Sequence, residues 1–122
     1  MRRDMDLVRR ILMVAADASG PVPIEALTSD ECPRALVCYH LRIMDEAGLV
    51  KVGRLAADGD PCYAASVERL TWEGNDFLDA VRSDTVWSKV KTKVAQAVGS
   101  ASFEVVKAAA AKVAAEMVAA QL

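Results

Sequence analysis

The sequence has 122 residues, of which 53% are apolar and 26% charged, with 15 basic and 17 acidic side chains and a formal net charge of −2. This length and balance exclude a disordered chain and are typical of one domain, with at most a small appendage, that buries a hydrophobic core. No uncharged apolar run approaches the ~18 residues of a membrane span or follows the basic start as in a secretory signal, so we expect a cytoplasmic protein without a membrane partner.

The first predicted helix begins after Asp4, whose carboxylate can accept hydrogen bonds from the first backbone amides. Apolar residues recur along it at helical spacing and share one face: Val8, Ile11, Leu12 and Ala15, with Leu7 and Val14 at the edges. The glycine and proline at positions 20 and 21 end the helix. We therefore expect this helix to pack on a core along one side.

A short extended segment at Val22 and a small second helix starting at Pro23 follow. The third helix begins near Cys32 or Pro33, and its apolar residues Val37, Leu41 and Met44 recur at steps of four and three. Gly48 then predicts a left-handed residue that ends the third helix.

A hairpin and a fourth helix come next. The segments LVKVGRL (49–55) and CYAASVERL (62–70) predict two strands, joined by a turn that contains the pair Asp58-Gly59. Thr71 predicts the cap of a helix over residues 72–82. The apolar residues expected on one side of that helix are Trp72, Phe77, Leu78 and Val81.

This order of helix, short strand, two helices, hairpin and helix is the connectivity of a winged helix-turn-helix domain, which we place at residues 1–82. The predicted fold class is mainly α, formally α+β. Residues 83–122 form a C-terminal extension of two helices. The first is capped by Asp84 or Thr85, uses Val86, Trp87, Val90, Val94 and Val98, and stops at Gly99; Ser102 caps the second.

The last helix carries a heptad-like apolar seam, with steps that alternate between three and four residues. Its members are Phe103, Val106, Ala110, Val113, Met117 and Ala120. A helix of this length exceeds what one small domain usually covers, so we expect the seam to form a homodimer. The alternative is that it packs on the first helix of the same chain.

The stretch VCYHLRIMDEAGLVKV resembles the recognition helix and first wing strand of bacterial winged-helix regulators, with Met44 at a position where leucine is usual. Together with MRRDMDLVRRIL, RLTWEGNDFLDAVRSDTVWSKVK and the serine-phenylalanine start of the last helix, the chain is similar to the "domain of unknown function 2513" family of bacterial and prophage proteins. That resemblance implies a winged-helix fold and a bacterial or mobile-element context. It implies no catalytic residues.

In a DNA-binding winged helix the third helix enters the major groove of double-stranded DNA, and its outward residues contact bases and phosphates. With the apolar face turned inward, the outward candidates for contact are Arg34, Cys38, Tyr39 and Arg42, and Arg54 can contribute from the wing strand. His40 leans toward the core, so we interpret it as a packed histidine. These residues predict a DNA-binding transcriptional regulator.

The charge distribution favours a second hypothesis. Residues 1–82 carry ten basic and fourteen acidic side chains, a net charge of −4, whereas residues 83–122 have a net charge of +2. Asp58 and Asp60 at the wing tip would repel phosphates. The alternative is therefore a winged-helix module that binds another protein and no DNA. A small apolar pocket between the wing and the added helices would allow a small-molecule effector.

Neither a metal site nor an active site is predicted. The three cysteines, Cys32, Cys38 and Cys62, lack CxxC spacing, so we expect buried, reduced thiols. On a helix Cys38 and His40 point roughly 200° apart, so they cannot share an ion with Cys32. The chain has no motif of a phosphate-binding loop, zinc protease or serine hydrolase, and we expect no cofactor and no enzyme.

Overall fold

The structure is a computed structural model that describes residues 1–53, 62, 64–98 and 103–121. This part of the chain is mainly helical and contains a small antiparallel sheet, which confirms the mainly α, α+β class. The elements are α1 (Met5–Asp17), β1 (Val22–Pro23), a 3₁₀ helix (Ile24–Ala26), α2 (Arg34–Glu46), β2 (Val50–Gly53), β3 (Ser66–Leu70), α3 (Trp72–Val81), α4 (Asp84–Val98) and α5 (Phe103–Gln121).

The chain divides into two compact units, Met1–Asn75 and Asp76–Leu122. The division falls inside α3, whereas the predicted domain boundary follows this helix at residue 82. None of the helices in the described ranges combines the length and the apolar character that a bilayer span requires.

Helix α1 starts as predicted, because the Asp4 carboxylate accepts hydrogen bonds from the backbone amides of Asp6 (2.9 Å) and Leu7 (3.4 Å). The core face of α1 consists of Leu7, Val8, Ile11 and Leu12, each at most 3% exposed. Val14 was expected at the edge of this face, but 36% of it is exposed. It lies seven residues after Leu7, at the edge of this face and near the end of the helix.

The predicted small second helix is a single 3₁₀ turn, Ile24–Ala26, with Ile24 fully buried. Helix α2 begins directly after Pro33, and Val37, Leu41 and Met44 form its buried face as predicted. Gly48 has a φ of 76°, which confirms the left-handed residue at its end. The amide of the next residue, Leu49, then bonds back to the carbonyl oxygen of Met44 at 2.9 Å.

The two predicted strands pair as expected of a hairpin, and the second begins at Ser66, later than predicted. β2 and β3 pair antiparallel, with Val50 opposite Leu70 and Gly53 opposite Ser66. β1 joins the other edge of β3, so the strand order is β1-β3-β2. The predicted turn, including Asp58 and Asp60, lies outside the described residues.

Thr71 joins the end of α2 to the start of α3. Its hydroxyl donates to the carbonyl oxygen of Gly48 and accepts the amide of Gly74 at 3.0 Å, while its own amide donates to the carbonyl oxygen of Leu49 at 3.0 Å. This geometry confirms Thr71 as the cap of α3. The expected apolar side of α3 is wrong at Trp72, which is 80% exposed, because its position beside the cap points away from the core.

In the second unit, α4 and α5 pack against each other. The cap of α4 is Ser83, whose hydroxyl accepts the amide of Val86 at 3.4 Å, so the prediction of Asp84 or Thr85 is wrong by one or two residues. Lys93 on α4 pairs with Glu116 on α5 at 3.2 Å. The predicted stop at Gly99 and cap at Ser102 lie outside the described residues, as do the side chains of Val94 and Val98.

The predicted α5 seam lies largely inside this unit. Val106, Ala110 and Val113 are each at most 4% exposed in the single chain, and Met117 is half-buried. The side chain of Phe103 lies outside the described part of the chain. Because three seam residues are already buried where α5 packs on α4, they do not form an exposed stripe for a second copy. Homodimerisation through this seam stays a prediction.

Candidate functional site

One face of α2 is open to solvent in the first unit. Ala35 and Glu46 are exposed, and Tyr39 and Arg42 between them are half-buried. These four residues follow one another at helical spacing, on the side opposite the buried apolar face. The structure therefore places Tyr39 and Arg42 on one face, next to the carboxylate of Glu46, and their contact with DNA stays a prediction.

Arg34, at the first position of α2, has polar partners within the chain. Its Nη1 lies 3.1 Å from the Oε1 of Glu25, which follows the start of the 3₁₀ helix. Its Nη2 donates to the backbone carbonyl oxygen of Cys62. Arg34 is therefore held between two segments of its own chain, and neither partner could be identified from sequence spacing.

The pKa of the Glu25 carboxyl is lowered from its ordinary value. The largest cause is a hydrogen bond from its own backbone amide, and the second is the hydrogen bond from Arg34. Both bonds favour the charged carboxylate. The Glu25 side chain is 64% exposed, so this pair lies at the surface, where solvent weakens ion pairs.

Cys38 and Cys62 form a disulfide with a Cα–Cα distance of 5.9 Å. Both residues are buried: Cys38 is 8% exposed and Cys62 is 1% exposed. The prediction of three reduced thiols is wrong for this pair, and so is the prediction that Cys38 contacts DNA. The physical reason is tertiary: residue 62, just before β3, covers the side of α2 that carries Cys38. Cys32 is a free, half-buried cysteine.

His40 is fully buried, which confirms the prediction of a packed histidine. Its Nε2 lies 2.8 Å from the backbone amide nitrogen of Asp4, and its Nδ1 lies 2.9 Å from the carbonyl oxygen of Leu36. Because an amide can only donate, Nε2 must be the acceptor and Nδ1 must carry the proton. The ring of Tyr39 meets it edge-on, with centroids 5.4 Å apart.

Two of the residues considered and rejected as metal ligands have other partners. The sulfur of Cys38 is bonded to Cys62, and both ring nitrogens of His40 are hydrogen-bonded. Across the described ranges, no group of three His, Cys, Asp or Glu side chains could hold a metal ion. Arg54, predicted to contact DNA from the wing, lies outside the described residues.

The comparisons with known proteins give a family. The sequence model of a family described as "Hypothetical protein (DUF2513)" matches residues 2–101. An uncharacterized protein of Haemophilus influenzae is 29% identical over 122 residues, which cover 98% of this chain and 100% of the relative. No solved structure matches the chain. Since the family match covers most of the chain, this protein belongs to the DUF2513 family.

Proposed function

We propose that this protein is a winged helix-turn-helix protein that binds duplex DNA through α2 and regulates transcription. The element order of the first unit and its strand order, β1-β3-β2, support the fold, because β2 and β3 then form a wing beside α2. In this arrangement α2 is the recognition helix. A bacterial or prophage source and a cytoplasmic location are part of the same proposal.

The single observation that carries DNA binding is the solvent-facing side of α2. A helix of about 10–12 Å diameter fits a major groove about 12 Å wide, provided that its outward face is small or polar. Ala35 allows close approach, and Tyr39 and Arg42 supply hydrogen-bond donors for phosphates or bases. Arg34 precedes Tyr39 and Arg42 on the same helix, but its guanidinium has partners within the chain.

The charge of the surrounding domain sets the expected affinity. With a net charge of −4 over residues 1–82, few phosphates are neutralised. We therefore expect weak binding to random duplex DNA, in the range of about 10⁻⁴–10⁻⁶ M, with a small dependence on salt. A specific operator would bind more tightly, and a homodimer would read two half-sites of it.

The test is a titration of fluorescent random duplex DNA at several salt concentrations. Arg42→Ala is expected to weaken binding about five- to tenfold and to reduce the salt slope by roughly 0.9, the contribution of one phosphate contact. Arg82→Ala removes the same charge outside the first unit and is expected to change neither quantity. A folded wild-type protein that binds no duplex at low salt would overturn the proposal. Sedimentation of the same sample measures its oligomeric state.

A protein-interaction module is the second candidate, and the exposure of Trp72 favours it. An 80% exposed tryptophan is unusual on a surface without a partner, and tryptophan is enriched among the residues that dominate protein interfaces. We expect Trp72→Ala to abolish capture of a protein partner from bacterial lysate while leaving the affinity for DNA unchanged. A partner captured equally by the wild type and by Trp72→Ala would contradict a role for Trp72 in partner binding.

A further inference from the structure

Residue 62 is attached to α2 at two points. Its sulfur is bonded to Cys38, and its backbone carbonyl oxygen accepts a hydrogen bond from Arg34, one helical turn earlier. The same carbonyl oxygen accepts the amide of Ala65 at 3.2 Å, and Ala65 in turn bonds through its own carbonyl oxygen to the amide of Ile24 at 3.0 Å. The disulfide and the hydrogen bond from Ala65 together fix the carbonyl group that holds one side of the Arg34 guanidinium.

We propose that the Cys38–Cys62 pair is a redox-controlled lock on Arg34. While the disulfide is intact, the carbonyl oxygen of residue 62 stays beside α2 and the guanidinium donates to it. When the disulfide is reduced, the covalent link between residue 62 and α2 is lost, and the Arg34 Nη2 can exchange its bond to the carbonyl oxygen for one to a DNA phosphate. This inference rests on the proposed DNA-binding function and adds its regulation.

The chemistry needs a dithiol reductant and balances without a further reactant. A thiolate of the reductant attacks the sulfur of Cys38, the more exposed residue of the pair, and Cys62 leaves as a thiolate that takes up a proton. The second thiol of the reductant then displaces Cys38 from the mixed disulfide. The protein gains two electrons and two protons, and the reductant becomes a disulfide. In cytoplasmic proteins such disulfides are commonly transient and redox-sensing.

The direction of the effect follows from the partners of Arg34. An arginine that donates to a carbonyl oxygen must give up that bond before it reaches a phosphate, so the oxidised protein binds DNA more weakly. One additional phosphate contact raises the affinity for duplex DNA about fivefold at low salt and makes the salt slope steeper by roughly 0.9. The ion pair with Glu25 does not depend on the disulfide and persists in both states.

The experiment compares the full chain with and without dithiothreitol, in the same titration of random duplex DNA. Mass spectrometry after alkylation verifies that Cys38 and Cys62 are blocked in one sample and reactive in the other. Cys32→Ser is the matched control and keeps the redox difference. Arg34→Ala abolishes it, because the released group is then missing. Equal affinities and equal salt slopes in the two states of the wild type would overturn the lock while leaving DNA binding in place.

A second measurement tests the lock without DNA. Phenylglyoxal modifies accessible guanidinium groups, and peptide mass spectrometry gives the rate at Arg34 relative to Arg82 in the same sample. We expect this ratio to rise severalfold on reduction. An unchanged ratio would overturn the lock, whatever the result with DNA. Loss of duplex binding in both redox states, with a raised ratio at Arg34, would overturn the proposed function alone.

Discussion

Arg34 and Glu25 illustrate how a single pair of residues changes the interpretation of a surface. Arginine at the start of an exposed helix is a plausible base or phosphate contact from the sequence. In the folded chain its guanidinium lies 3.1 Å from a carboxylate nine residues away and donates to a main-chain carbonyl oxygen besides. Whether Arg34 can contact DNA therefore depends on Glu25 and Cys62 as much as on its place at the start of α2.

A carboxyl titration of Glu25 tests this pair. Its lowered pKa means that its contribution to stability is present above its ordinary pKa and is lost as pH falls through the lowered value. We expect Arg34→Gln to raise the pKa of Glu25 only part of the way to its ordinary value, because the larger cause, the bond from its own amide, remains. Carboxyl carbon chemical shifts measured against pH give both values. No change on substitution would show that the pair does not form in solution.

Single residues were predictable where the signal is local. Asp4, Gly48 and Thr71 act on amides or backbone angles within a few residues, and each has the predicted role. Cys38 and Cys62 are separated by 24 residues, and their pairing depends on how the segment before β3 lies on α2. Spacing alone carried no information on that contact.

The start of α3 packs closely against the backbone of Leu49, the residue before β2. Gly74 lies so close to the carbonyl oxygen of Leu49 that an added β-carbon would overlap it. A backbone atom cannot move aside as the end of a flexible side chain can. Helix propensity predicts that alanine is better than glycine at an interior helical position by about 1 kcal/mol. At Gly74 the overlap of an added β-carbon with the carbonyl oxygen of Leu49 destabilises the fold, and it outweighs this gain in helix propensity.

We therefore expect Gly74→Ala to lower the free energy of unfolding by roughly 1–3 kcal/mol, the usual range for overpacking. Gly20→Ala is the matched control, since a β-carbon at that position meets no atom within 4 Å. It should be neutral or slightly stabilising. Urea denaturation of the two variants and the wild type gives the three values. Equal stabilities for Gly74→Ala and Gly20→Ala would contradict the close approach.

At the level of elements, periodicity located the helices and hairpin but placed two apolar side chains wrongly. Val14 lies at the edge of the apolar face near the end of α1, and Trp72 lies on the side of α3 opposite its buried residues. The heptad pattern of α5 described a true buried seam, but the same spacing suits a partner helix from the same chain or from a second copy. In the single chain three seam residues are buried where α5 packs on α4, and a contact with a second copy stays a prediction.

For the whole molecule, the disulfide is the largest stabilising feature that sequence reasoning missed. It joins residues 24 positions apart, and closing a loop of that size stabilises a protein by about 3 kcal/mol, mainly by restricting the unfolded chain. We expect dithiothreitol to lower the free energy of unfolding by about this amount in urea denaturation. The Cys32→Ser variant should show the same loss. Identical denaturation curves with and without the reductant would argue against the bond in solution.

The mainly helical class, the antiparallel sheet and the order of elements were predictable because each follows from local patterns summed along the chain. The chain also separates into two compact units, Met1–Asn75 and Asp76–Leu122, and the domain boundary expected at residue 82 stays a prediction. The family model matches residues 2–101, which include the whole first unit except Met1 and part of the second unit.

The hydrogen bonds of His40 also make it a natural spectroscopic label. The chain contains one histidine, so its ring gives a single set of nitrogen resonances that needs no assignment. A histidine ring in water prefers to carry its proton on Nε2, whereas here the amide of Asp4 forces the proton onto Nδ1. The tautomer therefore reports whether the beginning of α1 is docked on α2. One isotope-labelled residue can follow that docking during denaturation, reduction of the disulfide or addition of DNA.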